Sequence, residues 1–122
     1  MRRLCIVSAL IIVLASATAS NDLDISASPR FGFEPFSTRV RITIQPHPDN
    51  RIACFVYDGA QYSNSCWQLE GEKAPKTTWK VVENLPGGPY LFTIVVRRSD
   101  GSIRQATTNV CSIPRGADSS VC

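Results

Sequence analysis

The chain reads as all-β: a single antiparallel β-sandwich of six to seven short strands. Three observations carry that reading. Apolar side chains alternate with period two in the two clearest segments, Val40, Ile42, Ile44 and Tyr90, Phe92, Ile94, Val96, as they do in a strand with one buried face. Turn-forming clusters such as Asp58-Gly59, Leu85-Pro86-Gly87-Gly88-Pro89 and Asp100-Gly101 separate the segments at short intervals. No ten-residue stretch past the first twenty residues has helical periodicity.

Residues 1–19 read as a signal peptide. Arg2 and Arg3 precede an apolar run from Leu4 to Ala15, and Ala17-Thr18-Ala19 supplies the small residues of a cleavage site. The run falls short of the ~20 residues that a spanning helix needs. Cleavage leaves 103 residues, enough for one domain. It also removes Cys5 and two cations, so 11 basic residues face 10 acidic ones. So balanced a chain offers no electrostatic case for nucleic acid, and no membrane span remains. Four cysteines are left, an even number that argues for disulfides in an oxidising compartment, periplasmic or extracellular.

The elements follow in order. Residues 20–28 are polar and are expected to fray, and residues 29–114 form the sandwich. Pro29 to Pro35, with Phe31 and Phe33 around Gly32, is a candidate edge strand, where proline is tolerated. Thr38 to Gln45 is a strand, ended by Pro46-His47-Pro48. Arg51 to Tyr57 is apolar on both sides and suits a central position. Tyr62 to Leu69 is a strand diluted by Ser63, Asn64 and Ser65. Thr77 to Val82 follows, with Trp79 expected in the core. Tyr90 to Arg98 and Ile103 to Ile113 pair through Asp100-Gly101, a sequence that suits a type I′ turn. Residues 115–122 form a tail tied back by a disulfide.

The run Leu85-Pro86-Gly87-Gly88-Pro89-Tyr90, then alternating apolars, then Asp100-Gly101, resembles the corner and hairpin of fibronectin type III and related immunoglobulin-like domains. That resemblance implies a tyrosine corner, with Tyr90 packed inward and its hydroxyl bonded to nearby backbone. The mature chain also resembles small exported bacterial proteins with this architecture, through Pro29-Arg30-Phe31, Asn50-Arg51, Tyr62 with Ser63 and Ser65, Leu69-Glu70-Gly71, Ala74-Pro75 and Leu85 to Tyr90. This implies no activity. The segment after Tyr57 departs from fibronectin type III in lacking an aromatic-rich third strand.

The four cysteines allow three pairings. Cys54 and Cys66 lie on successive strands and Cys122 can close on Cys111; a Cys54–Cys111 bond is the rival. Spacings of this length suit no zinc site, and the chain lacks the Cys-X-X-Cys of a redox motif. His47 is the only histidine and sits between prolines, so it reads as a turn residue rather than a catalytic one. Glu70 and Glu72 read as loop charges beside Lys73, and Asp49, Asn50 and Asp58 follow no calcium-loop pattern. Arg97, Arg98 and Arg104 read as solvated strand residues.

Tyr57, Tyr62 and Trp67 bracket the Asp58–Asn64 loop and are the candidate partner-binding residues, since exposed rings stack on sugars or anchor proteins. Leu85 and Tyr90 are the structural corner. The sequence therefore predicts no enzyme, cofactor or metal. It predicts an exported binding or structural module of the cell envelope that meets a protein or glycan partner. The alternative is a small inhibitor that presents Asp58–Asn64 to a hydrolase. A third reading, an enzyme, requires a cleft with convergent polar groups near His47 or Glu70.

Overall fold

Eight strands and one 3₁₀ turn make up the described residues, 22–116 and 122, of the computed structural model. They are β1 (Leu23–Ser28), β2 (Phe31–Phe33), β3 (Phe36–Ile44), β4 (Asn50–Asp58), β5 (Ser63–Gln68), the turn Gly71–Lys73, β6 (Thr77–Leu85), β7 (Gly88–Arg98) and β8 (Ile103–Ile113). Two sheets face each other, ordered β1-β3-β6 and β2-β8-β7-β4-β5. All pairings are antiparallel except β2 with β8. The all-β class read from the sequence holds. The expected signal peptide and most of the tail, residues 117–121, lie outside the described residues.

Alternation builds the core. Phe36, Thr38, Val40, Ile42 and Ile44 of β3 point inward, as do Tyr90, Phe92, Ile94 and Val96 of β7. Between them pack Ala53 and Phe55 of β4 and Val82 and Leu85 of β6. At one end, buried Asn50 accepts a hydrogen bond from Arg98 Nε at 3.1 Å and donates to the Gln45 carbonyl at 3.2 Å. Asp22 bridges Arg98 and Arg104 at 3.4 and 3.3 Å. Of the three arginines read as solvated strand residues, Arg98 is therefore a largely covered structural cation, its side chain 10% exposed.

Three local expectations are corrected. Residues 23–28 do not fray. Leu23, Ile25 and Ala27 are buried against β3 while Asp24 and Ser26 face out. Trp79 is not core. In β6 the inward positions are Thr78, Lys80 and Val82, so Trp79 is 51% exposed beneath the Arg39 guanidinium, 4.6 Å from its ring centre. Lys80 is accommodated there half-exposed, with its ammonium over the ring of Trp67. The β7–β8 turn is not type I′, which needs positive φ at both central residues. Only Gly101 has it, at φ 89°, with Gly101 N–H bonded to Arg98 O and Arg98 N–H to Ser102 O. Asp100 instead accepts the backbone and hydroxyl hydrogens of Ser102 at 2.9 and 2.7 Å.

Candidate functional site

The three aromatic candidates do not converge. Tyr57 belongs to the core edge, its ring 5.6 Å from Phe92 and 6.2 Å from Tyr90. Tyr62 stands 61% exposed at the loop end. Trp67 points inward and is half-buried against the core, with Lys80 Nζ 4.3 Å from its ring centre. This indole is thus shared between the core and an ammonium contact rather than standing free like Tyr62. Strand alternation also turns Trp67 away from Cys66.

The Leu85–Tyr90 corner is structural. Leu85 is fully buried, its carbonyl accepts from the Ser112 hydroxyl at 3.0 Å, and the Tyr90 hydroxyl donates to Pro86 O at 2.9 Å. Gly59 lies so close that a Cβ there would meet Pro89 O at 2.5 Å and the Tyr90 ring at 2.7 Å. The Asp58-Gly59 turn is therefore folded down onto the corner.

Polar groups do gather near Glu70. An open depression of about 470 Å³ is lined by Pro48, Arg51, Glu70, Glu72 and Lys73. A neighbouring cleft of about 330 Å³ lies between Trp67, Glu70, Lys73, Thr78 and Lys80. The guanidinium of Arg51 is already engaged by Pro48 O and Asn50 O at 2.7 and 2.9 Å. His47 Nδ1 accepts the Asp49 N–H at 3.0 Å within its own turn. Neither arrangement pairs a nucleophile with a base.

The chemically distinctive feature is the disulfide pattern. Cys54 pairs with Cys66 and Cys111 with Cys122. Cys54 and Cys66 face each other directly across β4 and β5, with Cα atoms 4.0 Å apart. They lie on the outer surface of the five-stranded sheet, opposite in sense to inward Ala53, Phe55 and Trp67. Cys54 is half-buried between Ile52 and Val56 and beside Val95, whereas Cys66 is exposed. Asn64 Oδ1 lies 3.5 Å from Cys66 Sγ.

The strand order adds a second property. Among the described residues β5 ends the sheet, with no strand paired on its outer side. In an antiparallel pair, hydrogen-bonded and non-hydrogen-bonded residue pairs alternate. Leu69 N–H bonds to Arg51 O at 2.7 Å. In the same register the odd-numbered residues of β5 hydrogen-bond to β4. The backbone N–H and C=O of Asn64, Cys66 and Gln68 point the other way, off the free edge. Sequence reasoning located both cysteines but read β4 as apolar on both sides, and so did not distinguish the core face from the face that carries the disulfide.

No protein-family model matches the chain, and no curated protein matches it. Solved structures do. The superoxide reductase (neelaredoxin) from Ignicoccus hospitalis superposes with a TM-score of 0.61 at 12% identity, over 75% of this chain and 80% of that one. Two variants of that reductase give TM-scores of 0.58 and 0.59 at 10% identity. At such identity the likeness shows the fold, an all-β arrangement related to the immunoglobulin fold. It also corrects the functional expectation drawn from the sequence. The similar structures are reductases, and against that finding the expectations of a non-catalytic envelope module, of a hydrolase inhibitor and of no enzyme activity are withdrawn.

Proposed function

We propose that the chain is an exported redox domain whose working centre is the Cys54–Cys66 disulfide. The observation that carries this reading is the placement of the bond: on the outer face of the sheet at its last described strand, with Cys66 exposed. Superoxide reduction, named for the similar structures, is one-electron chemistry of the kind metals and flavins perform. A metal centre for it takes several His, Cys or carboxylate ligands. Among the described residues no three such side chains come together. The chain has one histidine, and all four cysteines beyond residue 19 are paired. That donor set does not fit such a metal. The redox chemistry these side chains offer is thiol–disulfide exchange.

In that exchange a partner thiolate attacks one sulfur of the pair, a mixed disulfide forms, and the other sulfur leaves as a thiolate. A second thiolate of the partner then attacks the partner's own sulfur and expels the remaining cysteine. The partner ends as a disulfide and Cys54 and Cys66 as thiols, a transfer of two electrons. Asn64 supports the release of Cys66: rotated about its last side-chain torsion, its amide presents N–H to a Cys66 thiolate.

The test is the reduction potential of this pair. The protein is equilibrated with mixtures of reduced and oxidised glutathione, alkylated, and mapped so that Cys54–Cys66 is read separately from Cys111–Cys122. A potential between about −270 and −120 mV is expected, the range of pairs that exchange in cells. A value below about −300 mV is that of a structural bond and would remove the reading.

A further inference from the structure

The exchange reading leaves open which sulfur is attacked and how the partner is held, and the edge of β5 addresses both. We infer that the partner is an extended, thiol-bearing peptide segment that adds to the free edge of β5 and attacks Cys66, not Cys54. The inference rests on the proposed exchange activity.

Two features converge on the same side of the strand. The first is the direction of the bond. Cys54 and Cys66 are direct cross-strand partners, so the bond between them crosses the ladder from β4 towards the sheet edge. A thiolate attacks a disulfide along the line of the bond it breaks. Extended past Cys66 Sγ, that line leaves the sheet over the open side of β5. Extended past Cys54 Sγ, it runs over Val95 and the strands beyond. Cys54 is also half-buried where Cys66 is exposed.

The second is the hydrogen-bonding side of the backbone. The N–H and C=O of Cys66 point off the edge, with those of Asn64 and Gln68 two residues to either side. An incoming strand therefore finds three evenly spaced donor and acceptor pairs centred on the reactive residue. Strand addition of this kind gives affinity through the main chain and selects side chains at alternate positions. The residue it sets opposite Cys66 forms a hydrogen-bonded pair with it, with Cα atoms ~5.5 Å apart. Its side chain projects on the same outer face as Cys66. A cysteine there has its sulfur beside Cys66 Sγ, on the open side.

The step balances. The partner thiol loses its proton to solvent and its sulfur bonds to Cys66 Sγ. The Cys54–Cys66 bond breaks, and Cys54 leaves as a thiolate that takes up a proton. The edge itself carries no inward-pointing charge, bulge or proline of the sort that blocks strand pairing: β5 reads Ser-Asn-Ser-Cys-Trp-Gln. β6, the corresponding edge of the other sheet, carries Lys80 at its middle and a register shift near Asn84, where φ is 60°.

The experiment compares three thiols against the oxidised full-length mature protein. One is a short peptide of alternating Thr and Val around a central cysteine. The second is the same peptide with proline on both sides of the cysteine, which cannot pair as a strand. The third is glutathione. A Gln68→Pro protein is the control: it removes one edge-facing N–H while keeping the side of β5 that bonds to β4. Acid-quenched mixed disulfides are mapped by mass spectrometry. The expected result is a strand-forming peptide at least tenfold faster than its proline form on the parent protein, an adduct on Cys66, and loss of that advantage in Gln68→Pro with the glutathione rate unchanged. Equal rates for the two peptides, or an adduct on Cys54, overturns the inference and leaves exchange itself standing. No reaction with any of the three thiols overturns both.

Discussion

Tyr90 shows how much one side chain fixes. Its ring is buried among Tyr57, Phe92 and the Asp58-Gly59 turn, and its hydroxyl reaches Pro86 O. Removing the hydroxyl alone, Tyr90→Phe, is expected to cost about 0.5–1.5 kcal/mol in urea denaturation, the usual net value of one such bond. Burial holds the phenol above its ordinary ionisation range, with smaller contributions from Tyr57 and Glu34. The fold therefore keeps this proton more tightly than the unfolded chain does. The resulting stability is complete below the ordinary phenol range and is lost as pH rises through the raised value. Melting temperature should accordingly fall more steeply between pH 9 and 11 in the parent than in Tyr90→Phe; parallel curves would show that the hydroxyl plays no such part. Asp100 is shifted the other way. The Ser102 hydroxyl, then the Ser102 backbone N–H, hold its carboxyl below the ordinary range. Its contribution is present above the ordinary range and is lost as pH falls through the lowered value. In Ser102→Ala, an NMR titration should find the Asp100 midpoint moved back up, towards but not reaching the ordinary value.

At the scale of elements, β6 separates what the sequence makes legible from what it does not. Period two was visible, but its phase was not. A pattern reading places Trp79 inside because it is the largest apolar residue of the strand. The fold places Thr78, Lys80 and Val82 there, since β6 is an edge strand and the Lys80 ammonium finds a partner in the Trp67 ring while the residue stays half-exposed. The two tryptophans should then behave in opposite order to the sequence reading. Trp67→Ala is expected to cost about 2–3 kcal/mol, less than the ~3–5 of a fully buried ring. Trp79→Ala should cost no more than about 1 kcal/mol, the worth of an exposed cation–π contact. Denaturant midpoints with unchanged slopes decide between the two orders. β1 was missed for a related reason: Asp24, Ser26 and Ser28 make the segment look polar, although Leu23, Ile25 and Ala27 alternate with them. The disulfide partners were legible because a turn between two strands brings cysteines into register. Which face they occupy was not, because both faces of β4 are apolar and only the packing of the second sheet tells them apart.

At the scale of the whole molecule, an exchange function makes a demand that a structural disulfide does not: the domain must stay folded with Cys54–Cys66 reduced. The sheet order meets it. β4 is held between β5 and β7, and its pairing with β7 runs from Asn50 to Asp58 independently of the disulfide. The core residues of β4 and β7 alternate with Cys54 and its neighbour Val95 and so face the other side of the sheet. Only β5, paired on one side, is pinned by the bond. Cross-links closing loops of this length restrict the unfolded chain by about 3 kcal/mol, a loss a domain of this size can bear within its usual ~5–15 kcal/mol. Cys54→Ser/Cys66→Ser is therefore expected to unfold in one cooperative transition, at a melting temperature lower by roughly 12–24 °C on the scale of ~4–8 °C per kcal/mol. Its backbone amides in β7 should keep the parent's hydrogen-exchange protection relative to global stability, while those in β5 exchange through local opening well below it. Were β7 and β5 to lose protection together, the bond would be holding the whole sandwich, and a centre that opens during each exchange would be incompatible with the fold.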